Sequence, residues 1–114
     1  MAIQTVTQKN NLATAYGTNA THGAVYTTAP SATAGTEPTG GSPAYARKPL
    51  TWSAASNGAV TVAPVFDIPA GVTIVGAGVH NALTAGTYLD GVGVTSQAFA
   101  SQGTFTVTFT YTQS

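Results

Sequence analysis

The sequence predicts a mainly β chain, one antiparallel β-sandwich or small barrel spanning residues 1–114, with a short N-terminal helix. Three observations carry this expectation. Phe105, Val107, Phe109 and Tyr111 alternate with Thr104, Thr106, Thr108, Thr110 and Thr112. Successive strand side chains point to opposite faces, so the four large groups share one face and the threonines the other. Upstream, segments rich in Val, Thr and Tyr recur between Gly, Pro and Asn punctuation, which gives about six or seven short strands at a spacing of about 8–12 residues. Finally, 114 residues without a cysteine fill one domain that must stand on its apolar core alone.

The helix is expected over Thr5–Tyr16 within an arm of residues 1–20. Thr5 or Thr7 can cap it, and Val6, Lys9, Asn10, Leu12, Ala13 and Tyr16 suit a 3.6-residue period. Gly17 is its expected stop, after no more than three turns. His22–Thr28 follows as a strand on its Val-Tyr-Thr-Thr run. Residues 29–43 hold Pro30, Pro38, Pro43, Gly35, Gly40 and Gly41. They read as a long loop of the kind that serves function or packs against a partner.

Lys48–Ala55 is the next strand and carries the sole tryptophan, Trp52. Asn57-Gly58 is the favoured hairpin pair. It leads into a strand over Ala59–Phe66, in which Pro64 implies an edge or a bulge. Pro69-Ala70-Gly71 makes a tight connection to a strand over Val72–Asn81, where Gly76-Ala77-Gly78 signals close strand packing. Thr87–Val94 is a strand broken by a turn at Asp90-Gly91, and Gln97–Ala100 is a short segment before the C-terminal alternation. Each large side chain buried by that alternation is worth roughly 1.5–3 kcal/mol, so the last strand belongs at the core.

Charge is the scarcest resource. Only Lys9, Glu37, Arg47, Lys48, Asp67 and Asp90 are ionised, 5% of the chain, and the net charge is zero; an ordinary soluble domain carries about 25%. Nucleic acid is excluded as a partner, because nothing basic extends beyond Arg47-Lys48. Membrane spanning needs about 20 consecutive apolar residues, and no such run exists. Met1-Ala2-Ile3-Gln4 lacks a charged and an apolar signal region, so synthesis in a cytoplasm is expected. A neutral surface favours association over repulsion. Sheet edges are usually guarded by charge or proline, so neighbouring copies or the N-terminal segment are expected to cover them here.

Constellations for chemistry are thin. Ser96, His80 and Asp67 have no spacing that marks a triad and no nucleophile elbow. His22, His80 and Asp67 would form a metal site only if the fold converged them. Glu37, Asp67 and Asp90 are few carboxylates for glycoside hydrolysis, and Glu37 in its Pro/Gly loop reads as solvated. No catalytic, metal or cofactor residue is expected, and His80 should end a strand and pack or hydrogen-bond. Tyr16, Tyr26, Tyr45, Trp52, Tyr88 and Tyr111 read mainly as core or subunit-contact groups.

The run Gly40-Gly41-Ser42-Pro43-Ala44-Tyr45-Ala46-Arg47-Lys48, followed by Leu50-Thr51-Trp52, joins Pro64–Thr73 and Gly103-Thr104-Phe105 in a pattern. From about His22 to the C-terminus the chain resembles a family of small virion surface proteins of actinobacterial tailed phages. Members are often labelled tail fibre protein and are akin to minor capsid or decoration proteins. The family places an aromatic near the end of the strand holding Val79, where this chain has His80. The resemblance implies a non-enzymatic structural component of the virion, contacting major capsid or tail proteins and forming a homo-oligomer. The alternative is a tail-fibre adhesin module gripping a host glycan through Trp52 or Tyr88. In the structural reading, Pro43, Tyr45, Arg47 and Trp52 are the interface candidates. Arg47, one of three cations, is expected to pair with Asp67 or with an acceptor on a neighbouring subunit.

Overall fold

A computed structural model describes residues 3–114, so the first two residues of the expected arm lie outside the described part. The chain is mainly β, as the alternation implied. The described residues form one helix, α1 (Val6–Asn19), and eight strands: β1 (His22–Tyr26), β2 (Lys48–Pro49), β3 (Ala59–Val62), β4 (Val65–Ile68), β5 (Val72–His80), β6 (Tyr88–Phe99), β7 (Gly103–Thr106) and β8 (Phe109–Thr112). One sheet has the order β2-β1-β5-β6; β3-β8 and β4-β7 are two-stranded ribbons, and every pairing is antiparallel.

Proline placement explains the strand count. Ala59–Phe66 is not one strand: it ends at Val62 and resumes at Val65. Pro64 has no N–H for the ladder, although its carbonyl still accepts from the Val107 N–H at 3.1 Å. The C-terminal run splits opposite it, into β7 and β8. Yet from Val62↔Phe109 to Val65↔Thr106 both chains advance by three residues, so the ribbons share one register. From Ile68↔Gly103 to Val72↔Phe99 both advance by four, so the register also survives the break at Pro69-Ala70-Gly71. The second half of the protein is therefore one long hairpin bent at two prolines and closed at the tip 81–87.

This bending makes the sandwich. Phe66 and Ile68 of β4, Phe109 of β8 and Val107 between β7 and β8 pack on Val25 of β1 and on Ile74, Ala77 and Val79 of β5. Phe105 packs against this core, Tyr111 is half-buried against Tyr16, and the threonines between them are exposed. The expected face alternation thus persists through the strand break.

The helix departs from expectation at its end. Thr5 caps it by accepting the Gln8 N–H at 3.2 Å, but it continues past Gly17 to Asn19, almost four turns. Gly17 is a contact point: a Cβ there would lie 3.1 Å from the Trp52 ring. Asn10 is a poor helix former, but its Oδ1 accepts the Gly58 N–H at 2.8 Å and fastens α1 to the Asn57-Gly58 turn. That turn has φ of 50° and 78° at its two residues, as a type I′ hairpin requires.

Two further segments differ. Of Lys48–Ala55 only Lys48 and Pro49 pair as strand. Pro49 lacks a donor, and Trp52 turns away to donate from Nε1 to the Ala20 carbonyl at 2.8 Å. Asp90-Gly91 is not a turn: it lies inside the continuous twelve-residue β6, which also absorbs most of Gln97–Ala100. The ladder takes up the extra residues as irregularities opposite Ile74/Gly76 and Val79/His80.

Phe66 is fully buried at the centre of the core. Phe66→Ala should cost about 3–5 kcal/mol, measurable as a lowered urea midpoint; a loss below about 1 kcal/mol would mean that the sandwich is not centred there.

Candidate functional site

The loop over residues 29–43 lies against the sheet face opposite the core. Thr27 N–H bonds the Thr36 carbonyl at 2.7 Å, which folds the loop back along β1. Glycines on β5 and β6 make room for it. A Cβ at Gly76 would run into the Pro30 ring, one at Gly91 would lie 3.0 Å from Pro30 Cβ, and one at Gly78 would lie 2.5 Å from the Tyr26 hydroxyl oxygen. Gly76-Ala77-Gly78 is thus a site of close packing, with a loop as well as a strand.

Beneath the loop sits a polar cluster. Tyr26 O–H meets His80 Nε2 at 2.6 Å in a buried contact, and Tyr88 packs against both rings while donating to the Ser31 carbonyl at 2.9 Å. His80 ends its strand and is only 3% exposed. Burial, helped by the nearby Arg47 charge, pushes the His80 pKa below its ordinary value. Burial also raises Tyr26, leaving its hydroxyl a firm donor at neutral pH.

Glu37 overturns its solvated reading. Its carboxylate accepts from Tyr45 O–H at 2.8 Å and from Arg47 Nε at 3.1 Å and Nη2 at 2.9 Å. Its burial favours the neutral acid, but the bonds from Arg47 and Tyr45 outweigh that and lower the pKa. Arg47 also donates from Nη1 to the Ala82 and Ala85 carbonyls at 3.0 and 2.9 Å. One guanidinium thereby ties the loop to the hairpin tip, which a lysine's single nitrogen could not reproduce. Asp67, the expected partner of Arg47, instead takes Lys48 at 3.2 Å. Glu37 reaches Arg47 because the loop returns alongside β1, a long-range path that local spacing does not encode.

The four interface candidates separate. Tyr45 is half-buried: its hydroxyl accepts the Val25 N–H at 3.2 Å and its ring stacks on Phe66. It supplies the edge bond that β2, two residues long, does not reach to give. Arg47 is committed to the cluster, with 11% of its side chain exposed. Trp52 is held between Gly17, Tyr16 and Ala20. Pro43 alone is exposed, after a cis peptide bond, where Gln102 clamps its turn by accepting from Ser42 N–H and donating to the Pro43 carbonyl.

One recess is a groove of about 300 Å³ where α1, β5, β6 and β8 meet, with Tyr16, Trp52, Asp90, Val92 and Thr108 on its walls. Its rings are already engaged. Tyr16 stacks on Tyr111 at 4.0 Å between centroids and meets Trp52 edge-on at 5.7 Å. Asp90 accepts Tyr16 O–H at 3.0 Å and the Gly91 N–H at 2.9 Å. Burial and that carboxylate raise the Tyr16 pKa. Among the described residues no three His, Asp or Glu side chains cluster as metal ligands. Within the triad considered above, His80 bonds Tyr26 and Asp67 bonds Lys48.

No protein family, curated protein or solved structure matches this chain.

His80 and Glu37 both have lowered pKa values in the fold, so the unfolded chain binds protons more readily at each. Stability should be full above the ordinary histidine value of 6.5, fall as pH drops through the lower folded value of His80, and fall again below 4.5 as Glu37 protonates. Thermal melts from pH 8 to 3 check this; a His80→Gln variant should lose only the first decline. Arg47→Lys should cost about 1–3 kcal/mol from unpaired acceptors. An unchanged melting temperature would show that the cluster is dispensable.

Proposed function

We propose that this protein is a non-enzymatic structural component of a tailed-phage virion, a capsid decoration, minor capsid or tail-surface protein present in many copies. The observation that carries this reading is where the charge goes. Two of three cations and two of three carboxylates neutralise each other inside the chain, and Asp90 is taken by a tyrosine hydroxyl and a backbone N–H. What faces outward is mostly threonine, other uncharged residues and backbone, with Val6, Val65, Leu83, Leu89 and Val92 among them, a surface suited to packing beside other copies and against major capsid or tail proteins. The resemblance of the Gly40–Lys48 and Pro64–Thr73 stretches to small phage virion proteins supports the same reading. The protein's place in this view is the assembled particle, after synthesis in the host cytoplasm.

A glycan-binding tail-fibre adhesin module is the competing reading, and the groove beside Asp90 favours it. Against it, Tyr16 and Trp52 are stacked or edge-packed on their own neighbours, which leaves little free ring face for a sugar.

Imaging of intact particles with a tag on the C-terminus decides between them. A regular, multi-copy label on head or tail surface is the expected result. Particles lacking the protein would end the virion reading, and label confined to fibre tips together with glycan-array binding lost in Trp52→Ala would favour the adhesin.

A further inference from the structure

The two ends of the four-stranded sheet are built differently. At the β2 end, the edge is two residues long and consists of Lys48 and Pro49, a charge and a residue with no N–H. Beyond it, the β1 edge is closed where Val25 N–H donates to the Tyr45 hydroxyl oxygen and Thr27 N–H donates to the Thr36 carbonyl. At the other end lies β6, twelve residues long and paired, among the described residues, only with β5. It contains no proline, lysine or arginine, and Asp90 is its one charge. Val92 and Leu89, two of the exposed large apolar side chains, lie on it at 54% and 40% exposure.

We infer that β6 is a pairing edge for β6 of a second copy of this chain, joined antiparallel about a twofold axis through Val92. The inference rests on the multi-copy reading above and names the surface that serves it. The ladder between β5 and β6 is regular from Asp90 to Gly93. Within this run the Gly91 N–H turns to Asp90 Oδ1 and so points away from β5. Outward and inward groups alternate along an antiparallel strand, which makes Gly91 and Gly93 the outward pair. Gly91 opposite Gly93 of the second copy exchanges two backbone hydrogen bonds once the Gly91 N–H passes from Asp90 Oδ1 to the Gly93 carbonyl of that copy, and Val92 then stands opposite its own counterpart in a non-hydrogen-bonded pair.

The chemistry suits this occupant. Neither glycine presents a side chain to the approaching strand, and a Cβ on Gly93 would meet nothing within 4 Å. In this register Asp90 faces Val94, so the strand's one charge never meets its own copy, and the zero net charge adds no long-range repulsion. A twofold contact uses the same patch on both chains and closes on itself. Because the β2 ends are blocked, growth stops at one continuous eight-stranded sheet, β2-β1-β5-β6 followed by its symmetry mate.

The chain has no cysteine, which allows a clean test. Val92→Cys places one thiol on the axis, at a separation a disulfide can bridge; Leu83→Cys, on the exposed hairpin tip, serves as control. Under mild oxidation Val92→Cys should convert to a covalent dimer at least about tenfold faster than the control, as expected for thiols held at raised effective concentration. The wild type should sediment at twice 11.4 kDa. Val92→Lys, which sets like charges against each other, should sediment at the single mass with an unchanged circular dichroism spectrum. Gly93→Pro gives a second route to the same loss by removing an edge donor. Cross-linking no faster than Leu83→Cys, or a dimer that persists in folded Val92→Lys, overturns the pairing. Either result leaves the virion reading to stand or fall on particle imaging alone.

Discussion

The structure depends on one antiparallel register. It runs from Ala59↔Thr112 to Ile74↔Gln97, and after two irregularities closes at His80↔Tyr88. Everything else attaches to this bent hairpin. The prolines at 64 and 69 interrupt its backbone bonding without shifting its alignment, so β4 and β7 can fold over β5 while side chains keep their faces. A one-residue slip would turn Phe66, Ile68, Val107 and Phe109 outward together. The alternation of aromatic and aliphatic groups with threonine fixes the alignment, because only one choice buries that set.

The helix and the long loop complete the two faces that the hairpin leaves open. Helix α1 docks through Asn10 on the Asn57-Gly58 turn and through Tyr16 and Gly17 on Tyr111 and Trp52. The loop is pinned through Glu37 and Arg47 to the hairpin tip. With so few ions in the chain, Glu37, Arg47, Lys48, Asp67 and Asp90 each hold a specific contact. The Arg47–Glu37 pair joins the loop to the Ala82 and Ala85 carbonyls at the hairpin tip, 35 and 38 residues on from Arg47. Such a pair contributes less by net attraction than by excluding alternatives, since either partner left alone would be buried and unsatisfied.

Much of this was legible in the sequence. Period-two patterning gave the C-terminal face assignment, Asn57-Gly58 gave the hairpin, and the Gly76-Ala77-Gly78 run gave a place of close approach. Each is local: a strand's faces, a turn's φ values and a missing Cβ follow from a few adjacent residues. What was not legible depends on distant chain. Gly17 reads as a helix stop until Trp52 is known to lie on it. Asp90-Gly91 reads as a turn until β5 is seen to hold it extended. Glu37 and Arg47 are ten residues apart, and nothing between them announces that the loop returns. Of the proposed contact residues, Tyr45, Arg47 and Trp52 carried real signals of importance, but that importance is internal. The β6 edge gave only an indirect signal, the absence of the residues that normally protect one.

The shared register also shapes how the chain can find its fold. Bringing Ala59 to Thr112 directly would mean closing the entire intervening segment at once, against its conformational entropy. With His80 already beside Tyr88 across the short 81–87 tip, each further pair shortens the next search to a few residues. The register thus lets a topology dominated by distant contacts be reached through a succession of near ones, with the 81–87 tip as the shortest loop to close.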